Sequence, residues 1–190
     1  MKVGILAFQG DFALHRKILK KLNVQNILVK NLSDLNTTDA LIIPGGESTV
    51  ISKMINLNSL STSLKKYSIK KSIYGTCAGA IVMSSKIKDP IVKPLKIIDV
   101  KVYRNSWGRQ IDSFSENITL KFSNKKFTAK FIRAPKFKCL NEELKILSCF
   151  NDEPILIESE RHLISSFHPE LGEDTRIHEY FLKKVVNEKI

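Results

Sequence analysis

The sequence predicts an α/β fold: three layers, with a mixed, mostly parallel sheet flanked by helices. Three observations carry this reading. In the first half, short continuous runs rich in branched apolar residues alternate with segments whose apolar residues recur at helical spacing, the pattern of β-α-β units. The runs lack polar alternation, as expected of strands covered on both faces. After Pro90, strand-like runs follow one another with connections too short for helical crossovers, so part of the strand set must pair antiparallel. At 190 residues, 43% hydrophobic and 26% charged, the chain has the material for one domain, 1–190, with a sizeable core.

Each element has its own justification. Residues 3–8 read as a buried strand, too short for the apolar part of a signal segment. A helix is expected over 11–22, opened by Asp11, a residue suited to an N-cap, with Phe12, Ile18, Leu19 and Leu22 on one stripe. Residues 27–29 and 41–43 are the next strands. Pro44-Gly45-Gly46 then breaks the chain, and helices are expected over 48–56 and 59–66. Residues 72–74 feed Gly75 and a helix over 78–84, and this series should form a parallel sheet with right-handed crossovers. Beyond Pro90, strands are expected at 95–103, 118–122, 127–132, 145–150, 155–158 and 163–167. A last helix over 175–186 carries Ile177, Tyr180, Phe181 and Val185 at helical spacing and should pack on the sheet. No repeat, linker or low-complexity tract interrupts the pattern.

Charge raises and then weakens one functional class. Lys+Arg total 31 against Asp+Glu 19, a net charge of +12 that suggests a nucleic-acid or anionic-membrane partner. However, 25 of the cations are Lys, scattered singly and in pairs, and only 6 are Arg, the residue suited to bidentate phosphate or base recognition. With 23 Ile and 12 Asn as well, a lysine-rich composition accounts for the surplus as a solvated surface. No apolar run approaches the about 18 residues of a membrane span. Neither nucleic acid nor membrane is expected as a partner. Cys77, Cys139 and Cys149 are odd in number with no C-x-x-C pair, which indicates neither a disulfide framework nor a thiolate metal site and points to a reducing cytoplasm.

Gly75-Thr76-Cys77-Ala78-Gly79 has the form G-x-C-x-G where a strand meets a helix, the cysteine version of a nucleophile elbow. The positive end of the following helix favours a thiolate. On these five residues alone, a buried structural cysteine beside a tight turn remains an equal reading. Cys139 and Cys149, in apolar strand-like surroundings, are expected to be inert. A nucleophilic cysteine needs a base, and His168-Pro169-Glu170 offers an imidazole with a carboxylate two residues on. Extended backbone would turn both to one side, the carboxylate fixing the tautomer of the base. An exposed turn is the alternative for this tripeptide alone; its occurrence with the elbow in one small α/β chain favours catalysis. Pro44-Gly45-Gly46-Glu47-Ser48-Thr49 follows another strand and lacks the spacing of a phosphate loop or dinucleotide site. Its glycines can instead aim an N–H at a ligand, and Gly46 with the Ala78 N–H could form an oxyanion hole.

These segments resemble the class I triad glutamine amidotransferases and, within them, the glutaminase subunits of pyridoxal 5′-phosphate synthase (the PdxT/SNO family). The resemblance runs through Leu6-Ala7-Phe8-Gln9-Gly10, the Gly45-Gly46-Glu47-Ser48-Thr49 loop, the Cys77 elbow, Arg104-Asn105-Ser106-Trp107-Gly108-Arg109-Gln110, Phe131-Ile132-Arg133-Ala134-Pro135 and Phe167-His168-Pro169-Glu170-Leu171. It implies a flavodoxin-like fold and a single glutaminase domain. It further implies hydrolysis of L-glutamine to glutamate and ammonia without metal or organic cofactor, the ammonia passing to a separate synthase subunit in a hetero-oligomer. Cys77 would attack, His168 relay protons and Glu170 orient His168; Gly46, Glu47, Ser48, Arg104, Ile132 and Arg133 would bind glutamine. Trp107 and Gly172-Glu173 depart from the family pattern, and His178, in a segment that also resembles the family, is expected to be structural. The alternatives are a glutaminase subunit of another pathway, such as imidazole glycerol phosphate synthesis, and a non-enzymatic thiol stress protein of related fold. The latter would not need His-Pro-Glu.

Overall fold

In the computed structural model, which describes residues 1–89, 91–104 and 113–187, the first half follows the expected alternation. In chain order the elements are β1 (Lys2–Leu6), α1 (Phe12–Lys21), β2 (Gln25–Val29), α2 (Leu32–Asn36), β3 (Ala40–Ile43), α3 (Ser48–Leu57), α4 (Ser61–Lys70), β4 (Ile73–Thr76) and α5 (Ala78–Met83). The second half adds β5 (Ser84–Ile87), β6 (Ile98–Tyr103), β7 (Phe114–Leu120), β8 (Ser123–Phe131), β9 (Lys136–Cys139), β10 (Lys145–Phe150), β11 (Glu153–Glu158), β12 (Leu163–Ser165), a 3-10 turn Pro169–Leu171 and α6 (Arg176–Asn187).

The main sheet has the order β10-β11-β12-β4-β3-β1-β2. Five neighbours from β12 to β2 run parallel; β10 and β11 join antiparallel at one edge. The mixed, mostly parallel sheet is therefore as the sequence predicts, with the antiparallel part at the predicted end of the chain. Not all later strands enter it. β5, β6 and β9 make a small sheet, and β7 pairs with β8 in a hairpin.

Strand periodicity sorts side chains into two cores. Leu41, Ile43, Ile73, Ile157 and Ile164 point to one face, where they meet Ile51 and Ile55 of α3, Leu64 of α4, α5 and Val100, Val102 and Phe137 of the small sheet. Val3, Ile5, Ile42, Tyr74 and Leu156 point to the other, against Leu19 of α1, Phe127 and Phe131 of the hairpin, and Ile177, Phe181, Leu182 and Val185 of α6. Three layers result, and α6 packs on the sheet as its spacing predicts. Each of its large apolar side chains contributes about 1.5–3 kcal/mol on burial before the entropy of ordering is counted.

Several boundaries differ from expectation for local reasons. β1 stops at Leu6, because the chain leaves the sheet to form the turn through Gly10, whose φ is +99°. The helix expected over 78–84 ends at Met83, and Ser84 opens β5, its hydroxyl turned back to the Ile81 carbonyl at 2.8 Å. α2 and the strands β5 and β9 were not expected. β12 is only three residues long, so the strand expected through Phe167 ends before His168.

Candidate active site

Four adjacent parallel strands, β12, β4, β3 and β1, end at one edge of the sheet, the usual place for a ligand crevice in an open α/β sheet. Each carboxyl end contributes one piece of the site.

β4 delivers Cys77. This residue, 5% exposed, has φ 44° and ψ −101°, a strained conformation for any side chain other than glycine. Its amide N–H donates to the Ser165 carbonyl of β12 at 2.8 Å, which pins the strained turn to the neighbouring strand. The flanking glycines of G-x-C-x-G have a steric reason. A Cβ on Gly79 would lie 2.0 Å from the Ile43 carbonyl oxygen of β3, so only glycine lets α5 start this close to the sheet. The thiol is 3.7 Å from the Ile132 carbonyl.

β12 delivers the imidazole. His168 is 4% exposed, its amide N–H bonded to the Lys130 carbonyl at 2.8 Å. His168 Nδ1 and Glu170 Oε1 are 2.7 Å apart, with the Glu170 side chain fully buried. The two side chains meet, but not through the extended backbone that the spacing suggested. Pro169 sits in the first turn of a 3-10 helix, where its missing N–H and fixed φ are favourable, and this turn folds Glu170 back under the ring.

A second carboxylate is present. Asp11 stands at the N-cap of α1, but its side chain makes no capping bond; Oδ2 instead lies 3.5 Å from His168 Nδ1. Burial works to lower the proton affinity of His168, but hydrogen bonding to Asp11, Cys77 and Glu170 outweighs it and holds the imidazole above its ordinary value. The resting ring is therefore favoured as an imidazolium, the form that pairs with a thiolate. Burial pushes Glu170 up, while the His168 hydrogen bond pulls it back. Asp11, His168 and Glu170 also form a cluster of possible metal ligands, with donor atoms within 4.8 Å of one another. The close Nδ1 to Oε1 hydrogen bond, however, engages the nitrogen that a metal would need.

β3 delivers the glycine loop. Gly45 lies so close to the imidazole that a side chain there would strike the ring, and its carbonyl accepts the Asp11 N–H at 3.0 Å. Gly46, with φ +149°, and Glu47 face the cavity. The Glu47 N–H donates to Gln9 Oε1 at 2.7 Å, and Ser48, buried, opens α3. Gln9 comes from the turn after β1 and has no expected role from sequence beyond its place in a motif. The resulting cavity of about 230 Å³ holds Cys77 and His168 with Gln9, Asp11, Gly46, Glu47 and Ser48 on its walls, and Ile81, Arg104, Ile132 and Arg133 complete it. This is smaller than sites for drug-sized ligands and suits a small polar substrate. A larger groove of about 670 Å³ beside His162 contains no cysteine.

The two cations differ. Arg104 is engaged by carboxylates: Nη2 reaches Glu47 Oε1 at 3.2 Å, and Nη1 pairs closely with Asp89. The Asp89 carboxyl lies below its usual range because it accepts the Ile91 N–H and faces the Arg104 guanidinium. Arg133, exposed and with φ 44°, forms no ion pair among the described residues. Ala78 is buried directly after the thiol residue. Asn105, Ser106, Trp107, Gly108, Arg109 and Gln110 lie outside the described residues. Cys139 is half-buried and Cys149 exposed on an edge strand rather than embedded; burial raises both thiols, so neither is poised to react.

Fold and geometry together define the class: an α/β protein with a thiol on a strained elbow and a carboxylate-bound imidazole, equipped for acyl transfer. The comparisons narrow it. The sequence matches the SNO glutamine amidotransferase family over residues 5–187, and the chain belongs to that family. It is 44% identical over 187 residues to the "Pyridoxal 5'-phosphate synthase subunit PdxT" of Thermosipho africanus, covering 97% of this chain and 99% of that one. The protein of that name from Francisella tularensis subsp. novicida is 43% identical over 95% of this chain and 97% of its own. A crystal structure described as a glutamine amidotransferase superposes with a TM-score of 0.91 at 39% identity, covering 96% of this chain and 98% of that chain. Family membership selects the amidotransferase reading over the thiol stress protein.

Proposed function

We propose that the chain is the glutaminase subunit of a pyridoxal 5′-phosphate synthase and hydrolyses L-glutamine to L-glutamate and ammonia, which passes to a synthase subunit in a hetero-oligomer. The relatives above carry that synthase's name. The observation that carries the site assignment is the buried 2.7 Å contact of Glu170 with His168, whose ring shares a cavity with Cys77.

The steps follow from chemistry. The Cys77 thiolate attacks the carboxamide carbon, and the oxyanion accepts hydrogen bonds from the Gly46 and Ala78 N–H groups. His168 gives a proton to the departing nitrogen, releasing ammonia and leaving a thioester. Water then adds, with His168 taking its proton, and thiolate departure yields glutamate. Glu170 keeps the imidazole oriented throughout. Glu47, Ser48, Ile132 and Arg133 hold the amino-acid end of glutamine. Arg133 meets its α-carboxylate, because the Arg104 charge is already matched by Glu47 and Asp89, and Arg104 shapes the loop. Residues 1–190 act as one glutaminase domain, since the site draws on side chains from Gln9 to Glu170. We place the reaction in the cytoplasm, a reading supported by three free thiols. Among the described residues no helix is long and apolar enough to cross a membrane.

The test is ammonia release from glutamine with and without the synthase subunit. Cys77→Ala should abolish it while leaving the protein folded. Unchanged turnover in that variant would sink the assignment.

A further inference from the structure

Behind Glu170 lies a pair of imidazoles that the proposed reaction does not use. His15 of α1 and His178 of α6 are both fully buried, with His15 Nδ1 2.9 Å from His178 Nε2. His15 Nε2 lies 3.2 Å from Thr76 Oγ1 and 3.5 Å from Glu170 Oε2. Tyr74 stands edge-on to both rings. The carboxylate thus has two imidazole neighbours: His168 on Oε1 and His15 facing Oε2.

Counting protons assigns the tautomers. Burial lowers the proton affinity of both rings, that of His178 to about 3, so each holds a single proton near neutral pH. The 2.9 Å contact between them needs one proton, from one side or the other. If His15 Nδ1 supplied it, His15 Nε2 would accept the Thr76 hydroxyl proton and have no proton to offer Glu170. His178 would then carry its N–H on Nδ1, an atom with no hydrogen-bond partner among the described residues. If His178 Nε2 supplies it, the His15 N–H sits on Nε2, hydrogen-bonded to Thr76 Oγ1 at 3.2 Å with Glu170 Oε2 at 3.5 Å. Glu170 Oε2 makes no hydrogen bond within normal limits among the described residues, and an N–H on His15 Nε2, 3.5 Å away, is a donor that can move onto it. The second arrangement leaves only a lone pair unmatched, and buried acceptors go unmatched more readily than buried N–H donors.

We propose that His15 is a positioning residue of the glutaminase reaction: held by His178 as the Nε2–H tautomer, it fixes the Glu170 carboxylate so that Oε1 stays on His168. This rests on the reading that glutamine hydrolysis runs through Cys77, His168 and Glu170. Removing a donor to a buried carboxylate disturbs the transition state, where the imidazole must change partners, more than it disturbs glutamine binding.

The test combines ring nitrogen-15 spectra of the wild-type chain with kinetics of the chain in complex with its synthase subunit. The spectra should report both His15 and His178 protonated on Nε2. His15→Phe should lower kcat about tenfold with KM nearly unchanged, and His15→Gln, which retains a donor, should restore most of the loss. The double variant His15→Phe/His178→Phe should fall no further than His15→Phe alone, as members of one chain of contacts do. A His15 proton on Nδ1, a kcat of His15→Phe equal to wild type, or a His15→Gln no better than His15→Phe would each overturn the proposal. If His15→Phe does not fold, the wild-type tautomers decide. A wild-type complex inactive on glutamine would overturn the functional reading and this proposal with it, whereas an active complex with the wrong tautomer overturns the proposal alone.

Discussion

Replacing Gly45 by alanine isolates the contact between the glycine loop and the imidazole. The Gly45 backbone is not in the left-handed region, so alanine fits its φ without strain, and the consequence comes from the added methyl group alone. A Cβ there would lie 2.3 Å from His168 Cε1 and 2.7 Å from Nδ1. Carbon atoms settle at about 3.5 Å, so the ring or the loop must give way by roughly 1 Å. His168 has little freedom to do so, being held through its own amide to Lys130 and through Nδ1 to Glu170. The loop is tied by the Gly45 carbonyl to Asp11 and by the Glu47 amide to Gln9. A misplacement of roughly 1 Å among reacting groups costs about 100-fold in rate, and overpacking costs about 1–3 kcal/mol of stability. Steady-state glutamate release in the presence of the synthase subunit, with urea unfolding alongside, measures both. Gly45→Ala should lose about 100-fold in kcat yet remain folded. Activity within about twofold of wild type would refute the reasoning, since the imidazole would then tolerate the displacement.

Three further outcomes follow from the packing. His178 and His162 are kept neutral by burial, to about 3 and about 4, His162 also by the nearby Lys184 and Arg161 charges. The unfolded state takes up protons first, so their stabilisation is complete above pH about 6.5 and shrinks as the pH falls toward those values, by up to about 1.4 kcal/mol per pH unit for each ring. Urea midpoints that stay flat from about pH 7 to 5 would contradict this. Arg176 ties the start of α6 to the hairpin by donating to Ser123 Oγ at 2.6 Å and to the Lys125 and Lys126 carbonyls at 2.7 Å each, while pairing with Asp174. Arg176→Ala should cost about 1–3 kcal/mol in chemical denaturation without changing turnover of the complex. At the elbow, Cys77→Gly relieves the positive φ that Cys77→Ala retains, so the glycine variant should unfold at higher urea, by about 1 kcal/mol.

What the sequence made legible is what short range determines. Cys77, the Gly45-Gly46 loop and the His168-Pro169-Glu170 tripeptide are each complete within a few residues, because an elbow, a turn and a paired base are local devices. The His168 to Glu170 contact was legible even though its backbone was not. Proline after an extended residue reads equally as the end of a strand and as the first residue of a helical turn, and packing decided for the turn. The long-range partners were hidden: Asp89 on Arg104, Gln9 on the Glu47 amide, and His15 behind Glu170 join residues with no shared motif. Asp11 misled for a specific reason, since a residue suited to capping α1 turns instead to an imidazole more than 150 positions away. α2 carried a readable signal, Asn31 accepting from the Asp34 N–H at its start, but its five residues give too little periodicity. The Asn151-Asp152 turn joining β10 and β11, with φ of 48° and 61°, is likewise a hairpin signal that the residue types announce.

The order in which the pieces sit explains why they had to be collected from across the chain. Across the sheet the site reads β12, β4, β3, β1, which places His168, Cys77, Gly45 and Gln9 side by side in an order unrelated to the sequence. Only strands running in one direction bring four carboxyl ends to one edge; an antiparallel β12 would have sent His168 to the far side. β11, which is antiparallel to β12, makes that orientation possible by returning the chain. The antiparallel edge formed by the second half is therefore part of the catalytic architecture: it supplies the parallel strand that carries the imidazole to a thiol fixed by the first half. Two of the residues at positive φ, Cys77 and Arg133, each at 44°, line the site cavity. Each such residue costs on the order of 1–3 kcal/mol, and the rigid parallel core on either side is what holds it in place.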